Sequence, residues 1–259
     1  MSEQTIEKLK KMKLSKFAEA YQDQKGKPEY QKMSFDDRLT LLVDLEYDSR
    51  VNHTIERNIR NANFYDSTAC LERINYKPER KIDKALIEEL STNQYIEEGL
   101  NVVIAGASGC GKTWISNALG VHACRSRKRV KYIRLPELLM DLETARIQGT
   151  YRKMMKQLGK LDLLIIDEFL LSSVNETEVN SILEIMELRC NKKSTILCSQ
   201  WTPEGWYQKL GGGPIADAIL DRIINSSYKI LLEGTSMREE YSKLKLLRSQ
   251  SAWTGSLNG

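Results

Sequence analysis

The sequence predicts an α/β protein in which a parallel sheet with crossover helices follows a small all-α segment. Three observations support this prediction. Short apolar segments alternate with helical ones from about residue 68 onward, and a glycine-rich loop follows the first apolar segment. Residues 1–66 show helical spacing of apolar side chains and no strand signal. Alternating strands and helices are typical of parallel strands joined by helices.

Composition places the chain among ordinary globular proteins. It has 259 residues, of which 41% are hydrophobic and 29% are charged. No apolar stretch approaches the roughly 18 residues that span a bilayer, and the first residues lack the apolar core of a signal peptide. The five cysteines and two histidines have no metal-binding spacing. We therefore expect no membrane association and reduced thiols in a cytoplasm.

The first 67 residues are expected to form a helical domain that contacts partners or other copies of the chain. Gly26 and Pro28 interrupt the helical pattern. Ser34 followed by Asp37 resembles a capping box that opens a longer helix. Residues 68–248 are the predicted α/β domain, and the Ser/Gly/Asn-containing residues 249–259 are a predicted flexible tail.

A phosphate-binding loop of the form G-x-x-x-x-G-K-[ST] is the most specific motif of the chain. Glycines let backbone N–H groups approach phosphate oxygens, a lysine reaches the β- and γ-phosphates, and a threonine hydroxyl can ligate Mg²⁺. An apolar segment precedes the loop and a helical one, 114–123, follows it, as anion binding at a helix N-terminus requires. The sequence thus predicts binding of a nucleoside triphosphate with Mg²⁺ by Gly106, Ala107, Ser108, Gly109, Cys110, Gly111, Lys112 and Thr113.

Two carboxylates end a later apolar segment, 55 residues beyond the loop lysine. Asp167 is predicted to hold Mg²⁺ together with Thr113, and Glu168 to activate the attacking water. The alternative is a strand that merely ends at the surface in acidic residues. Because Glu168 suits hydrolysis, the pair favours an ATPase over a protein that only binds nucleotide.

Polar side chains also stand at and directly after the end of the apolar segment 195–199. Gln200, or alternatively Ser199, is predicted to hydrogen-bond the γ-phosphate or the attacking water, although either could simply cap the strand. The predicted strands are 102–105, 130–133, 163–167, 195–199 and 228–232.

Two arginines are candidates for stabilising the charge that develops in phosphoryl transfer. Arg222 lies in a helical segment before the last predicted strand, and Arg238 follows that strand at the start of a charged helix, 237–247. Taken alone, each is equally compatible with an ordinary surface arginine.

Basic side chains are concentrated between residues 121 and 160, which contain 11 basic and 3 acidic residues. Such a block favours a polyanionic partner, although a solvated surface is the alternative. The predicted contacts with duplex DNA are Arg125, Arg127, Lys128, Arg129, Lys131, Arg152 and Lys153.

Taken in order, these elements resemble the AAA+ ATPases of the DnaC/IstB group, and within it the ATPase helpers of insertion-sequence transposition. The resemblance covers nearly the whole chain. It includes Leu9–Lys10–Lys11–Met12, Ser34–Phe35–Asp36–Asp37 and Ile219–Leu220–Asp221–Arg222–Ile223.

The resemblance implies a three-layer core with strand order 5-1-4-3-2. It implies that Gln200 takes the first sensor position, Arg222 an arginine finger acting on a neighbouring subunit, and Arg238 the second sensor. Only 21 residues follow Arg238, too few for a C-terminal helical lid, so we expect a homo-oligomer with ATP sites at subunit interfaces. Leu170 stands where the family often has glycine.

The leading hypothesis is an ATPase that assembles on double-stranded DNA and recruits or stimulates the transposase of the same insertion sequence. The alternative is a DnaC-like replicative helicase loader, which prefers single-stranded DNA. Aromatic residues interleaved with basic ones are expected for single strands, and the basic block contains only Tyr132 and Tyr151. A third possibility is a nucleotide-switched structural protein with negligible turnover, against which Glu168 and Arg222 argue.

Overall fold

The structure is a computed structural model that describes residues 3–234, 236 and 237. It divides into two compact units, with the boundary between Arg57 and Asn58. Arg238, the rest of the predicted helix 237–247 and the tail 249–259 lie outside the described residues. In the part of the chain that the structure describes, no helix is long and apolar enough to cross a membrane.

The elements of the described residues follow the predicted alternation. The strands are β1 (Asn101–Gly106), β2 (Val130–Arg134), β3 (Leu163–Asp167), β4 (Ser194–Ser199) and β5 (Ser227–Leu232). The helices are α1 (Glu3–Lys11), α2 (Ser15–Gly26), α3 (Phe35–Ala62), α4 (Lys84–Ser91), α5 (Gln94–Glu97), α6 (Lys112–Arg125), α7 (Leu135–Ile147), α8 (Tyr151–Lys160), α9 (Glu176–Arg189), α10 (Pro203–Lys209) and α11 (Gly213–Ile224). Short 3₁₀ turns are Pro28–Lys32, Leu71–Arg73 and Pro78–Arg80.

The first unit is held together by caps at its helix ends. The Glu46 carboxylate accepts hydrogen bonds from the backbone N–H groups of Lys16 and Phe17 at 3.0 and 3.1 Å, and so satisfies two free donors in the first turn of α2. Ser34 accepts a hydrogen bond from the backbone N–H of Asp37 at 3.1 Å. The predicted cap at the start of α3 is therefore confirmed.

The second unit is built on a five-stranded parallel sheet in the order β2-β3-β4-β1-β5. This is the predicted order 5-1-4-3-2. Alternate residues of the strands enter two separate apolar cores, as the two-residue period of a strand requires. Val102 and Ile104 pack with α4, α5 and α6, whereas Val103 packs with α7, α9 and α11. The predicted three-layer α/β core is confirmed.

The helix after the phosphate loop begins earlier than predicted. It starts at Lys112 instead of Trp114, directly after Gly111, whose φ of 98° is a conformation that favours glycine. Lys112 and Thr113 therefore belong to the first helical turn. Their backbone N–H groups are among those that a helix leaves without an internal partner.

Candidate functional site

The phosphate loop connects the carboxyl end of β1 to the amino end of α6. Gly106 ends β1 so close to its neighbour strand that a Cβ at this position would collide with the Leu232 carbonyl oxygen. Gly111 turns the chain into α6. The loop thus needs glycine at both positions for reasons of space and backbone conformation, and it presents a helix N-terminus suited to an anion.

Lys112 lies against the loop instead of extending into solvent. Its ammonium donates hydrogen bonds to the carbonyl oxygens of Gly106 at 2.7 Å and Ala107 at 2.8 Å. Only 9% of the residue is exposed. A positive charge is therefore fixed within the loop, where it can interact with phosphate oxygens.

Thr113 and Asp167 meet at the carboxyl edge of the sheet, as the sequence predicts. The Thr113 hydroxyl donates to Asp167 Oδ2 at 2.6 Å, and the buried Tyr132 hydroxyl donates to the same oxygen at 2.9 Å. Burial of Tyr132 and its proximity to Asp167 raise the pKa of the phenol. The phenol thus remains a donor that orients the Asp167 carboxylate.

The oxygens of Thr113 and Asp167 fit the requirements of Mg²⁺. This ion binds proteins through oxygen ligands, with one or two carboxylates plus substrate phosphates completing its shell. Among the described residues, no cluster of three or more His, Cys, Asp or Glu side chains forms a metal site made by protein alone. A hydroxyl and a carboxylate 2.6 Å apart beside a phosphate loop are consistent with an ion shared with nucleotide.

Glu168 follows Asp167 in a left-handed backbone conformation, with φ of 54°. Its backbone N–H donates to Asp167 Oδ1 at 2.8 Å, which accounts for this turn. The Glu168 carboxylate lies 3.9 Å from the guanidinium of Arg134, the last residue of β2. A carboxylate is thus presented at the edge of the sheet beside the Thr113–Asp167 pair.

Ser199 and Gln200, the two candidates for contacting the γ-phosphate at the end of β4, have different surroundings. Ser199 is buried, and its hydroxyl donates to the Phe169 carbonyl at 2.8 Å while accepting from Trp206 Nε1 at 2.9 Å. Gln200 follows the strand and is exposed. Because β4 lies between β1 and β3, Gln200 follows the strand that is central to the predicted site. Of the two, Gln200 has the freer side chain for a ligand.

Arg222 lies at the opposite edge of the sheet from the phosphate loop. Its backbone carbonyl accepts a hydrogen bond from the side chain of Asn101, the first residue of β1, at 3.2 Å. The loop follows the last residue of that six-residue strand, about 17–20 Å away along the strand. The Arg222 guanidinium donates to Glu187 at 3.0 Å. Within one chain, Arg222 is therefore remote from the loop.

The basic block does not form one uniform surface. Lys128 pairs with Glu97. Arg129 makes two side-chain hydrogen bonds to Asp162, both at 3.1 Å, and Lys193 binds the same carboxylate at 2.7 Å. These residues precede β2, β3 and β4 at the amino edge of the sheet. Their charges are largely used to hold the strand starts together. Arg125 and Arg127 nearby are exposed, and Lys131 is half-buried.

The basic residues of α8 are arranged differently. Arg152, Lys153, Lys156 and Lys160 are exposed, and the helix contains no acidic residue. Ion pairs to any of the four are absent among the described residues. Leu158 and neighbouring methionines pack into the core, so the basic face is directed outward.

The sequence interpretation missed Tyr132 and Arg80 at the phosphate site. In the sequence, Tyr132 stands out only as an aromatic residue within the basic block. Its position two residues before the end of β2 placed it beside Asp167, given the predicted strand order. Arg80 donates to the carbonyl oxygen of Cys110 in the loop at 2.7 Å. No sequence motif marks that contact.

The fold and the site define a phosphate-loop nucleotide-binding protein of the AAA+ class. The family described as "IstB-like ATP binding protein" matches residues 7–245. The chain belongs to this family. An insertion sequence ATP-binding protein of Sinorhizobium fredii is 36% identical over 90% of this chain and 95% of its own length. The ATP-binding protein of insertion sequence IS1162 from Pseudomonas fluorescens is 35% identical over 77% of this chain and 87% of its own length.

Solved structures agree with the fold. The DnaC helicase loader matches with a TM-score of 0.54 at 18% identity, over 64% of this chain and 97% of that chain. The DnaA structure with bound AMPPCP from Aquifex aeolicus matches with a TM-score of 0.57 at 23% identity, over 72% of this chain and 57% of that chain. At these identities the likeness concerns the fold alone.

Proposed function

We propose that this protein hydrolyses ATP with Mg²⁺ and assembles on duplex DNA, where it recruits or stimulates the transposase of an insertion sequence. The observation that carries the proposal is the Thr113–Asp167 contact beside the phosphate loop, followed by Glu168. It occurs in a member of a family whose relatives are described as insertion sequence ATP-binding proteins.

The residues divide the hydrolytic work by their chemistry. Lys112 and the loop N–H groups bind phosphate oxygens. Thr113 and Asp167 would hold Mg²⁺, which would neutralise charge on the phosphates when bound. Glu168 accepts a proton from the attacking water, and Gln200 positions that water or the γ-phosphate. Tyr132 keeps the Asp167 carboxylate in the orientation seen here.

Arg222 acts on the site of a neighbouring subunit. Its position at the amino edge of the sheet, next to Asn101, separates it from its own loop. A guanidinium that completes another subunit's site makes turnover depend on assembly. Arg238, which lies outside the described residues, remains proposed as the second sensor. The ATP sites thus lie at interfaces between copies of the chain.

The DNA-binding surface centres on α8. Positions 152, 156 and 160 repeat every four residues, which places them about 6 Å apart along one helix face. These charges form no ion pair with any residue that the structure describes, so they suit phosphate oxygens, which would give sequence-tolerant and salt-sensitive binding. Lys153 and the exposed Arg125 and Arg127 extend the positive surface. Lys128, Arg129 and Lys131 contribute less, since the first two already bind carboxylates.

The N-terminal unit provides a second contact surface. Four large apolar side chains on α3 are exposed although they recur every four residues on one helix face: Phe35, Leu39, Val43 and Tyr47. An exposed apolar stripe of this kind is typical of a protein–protein contact. It supports the proposal that this unit binds other copies of the chain or the transposase.

The deciding experiment measures binding to matched duplex and single-stranded DNA, with and without a non-hydrolysable ATP analogue, while recording complex mass. Large complexes that need both nucleotide and duplex support the proposal. A preference for single strands, or small complexes indifferent to nucleotide, contradicts it and favours a helicase loader. If the same complexes form with ATP but release no phosphate, a structural switch is favoured instead.

A further inference from the structure

Arg80 is a buried arginine that reaches the phosphate loop from outside it. It ends the 3₁₀ turn Pro78–Arg80, and only 7% of the residue is exposed. Its guanidinium donates to the carbonyl oxygen of Cys110 at 2.7 Å and to that of Asn75 at 3.0 Å. The first hydrogen bond is buried. The arginine therefore connects a segment well before β1 to the middle of the loop.

Arg80 occupies the space beside Gly111. A Cβ added to Gly111 would lie 2.7 Å from Arg80 Nη2, so the absence of a side chain there admits the guanidinium. The backbone of Arg80 is also fixed, because its carbonyl accepts from the Glu233 N–H at 3.3 Å. Lys81 forms an ion pair with Glu233 at 2.8 Å. The backbone hydrogen bond fixes the segment that carries the guanidinium, whereas the Lys81–Glu233 pair is exposed and contributes little to its position.

The charge of Arg80 has carbonyl partners but no carboxylate partner within the part of the chain that the structure describes. Burial of a charge without an opposite charge is costly. We expect a protein to retain such a costly buried charge where the charge helps to bind an anionic ligand. The anion that this loop takes is the polyphosphate of a nucleotide.

We infer that Arg80 is a positioning residue of the phosphate loop, which orients and polarises the Cys110–Gly111 peptide. A hydrogen bond to a peptide carbonyl strengthens the N–H of the same peptide as a donor. In this peptide the N–H belongs to Gly111, within the loop. A positive charge behind the loop also favours an anion in front of it. The inference rests on nucleotide binding but not on hydrolysis or on DNA.

The test compares Arg80→Met with Lys81→Met, which removes the adjacent exposed charge. Affinities for a non-hydrolysable ATP analogue and for AMP are measured by calorimetry, and thermal unfolding is followed without nucleotide. Arg80→Met is expected to lower the affinity for the ATP analogue about 10- to 100-fold, in line with the loss of a charge-assisted hydrogen bond. Affinity for AMP, which lacks the β- and γ-phosphates, should change less than about threefold. Lys81→Met should leave both affinities within about twofold.

Arg80→Lys keeps the charge with a different geometry and is expected to retain part of the lost affinity. If Arg80→Met does not fold, Arg80→Lys provides the same comparison of the two affinities. Loss of affinity for the ATP analogue but not for AMP supports the inference. If Arg80→Met or Arg80→Lys lowers the affinities for the ATP analogue and for AMP equally, the role of Arg80 is merely structural and the inference is overturned. Unchanged affinity for the analogue overturns it as well. A wild-type protein that does not bind the analogue would contradict nucleotide binding itself.

Discussion

Arg222 donates a hydrogen bond to Glu187 at 3.0 Å, and its backbone carbonyl is bound by Asn101 at the start of β1. The guanidinium is thereby held at the sheet edge opposite to the phosphate loop. If it completes a neighbour's site, Arg222→Ala should bind ATP normally and lose turnover by about 10³- to 10⁵-fold. Steady-state phosphate release and nucleotide binding, measured on the same preparation, check this expectation.

A mixing experiment tests whether the site is shared between subunits. Arg222→Ala subunits retain Glu168, and Glu168→Gln subunits retain Arg222. A mixture therefore contains some interfaces with both groups, and turnover should recover in part. Glu187→Gln is the matched control, since it removes the partner of Arg222 but leaves the guanidinium. Activity that stays at the level of the separate variants would argue against a shared site.

Glu168→Gln should abolish most hydrolysis while nucleotide binding is retained. General base catalysis typically contributes about 10²- to 10⁴-fold, and the amide cannot accept the proton. Glu137→Gln is a close control, because Glu137 also binds Arg134 but belongs to α7. Single-turnover rates and analogue affinity separate the two effects. Substantial turnover in Glu168→Gln would assign the base to another residue.

The two parts of the basic block should respond differently to substitution. Replacing Arg152, Lys156 and Lys160 by Gln removes three exposed charges from one face of α8. The plot of log affinity for DNA against log salt should flatten by roughly one per lost phosphate contact. Lys128→Gln with Arg129→Gln should change that slope less and thermal stability more. The opposite ranking would place the DNA surface at the amino edge of the sheet.

Asp162 should make folding sensitive to acid. Its burial raises the pKa, but the hydrogen bonds from Arg129 and Lys193 outweigh that effect and hold the pKa well below its usual range. A lowered pKa means that the ionised carboxylate stabilises the fold above about pH 4 and that this stabilisation is lost as pH falls further. Asp162→Asn should therefore lower the thermal midpoint at pH 7 and differ less from wild type near pH 3. A difference independent of pH would contradict this role.

The sequence could identify those site residues that belong to a local motif or directly follow an apolar strand. The loop from Gly106 to Thr113 and the Asp167–Glu168 pair follow apolar strands, and parallel strands bring their carboxyl ends to one edge. The strand order itself came from the family resemblance. The sequence pattern therefore predicted the alternating strands and helices, the resemblance supplied their order, and the catalytic roles remain predictions.

The sequence pattern could not predict side-chain contacts between segments that are far apart along the chain. Arg80 lies in an irregular segment with no periodicity, so nothing in its surroundings indicates that it binds the Cys110 carbonyl. Asp162 precedes β3 as an ordinary polar residue, yet it binds Arg129 and Lys193 from the starts of both neighbouring strands. Such contacts depend on side-chain reach across the sheet, which the local sequence does not encode.

The chain that leaves β5 returns to the phosphate loop, where the backbone N–H of Met237 donates to the Gly109 carbonyl at 2.9 Å. Glu233, earlier in the same stretch, donates its N–H to Arg80. The rate of deuterium exchange at the Met237 amide therefore shows how firmly its hydrogen bond to the phosphate loop is held. Slower exchange in the presence of nucleotide would make this amide a spectroscopic probe of nucleotide binding.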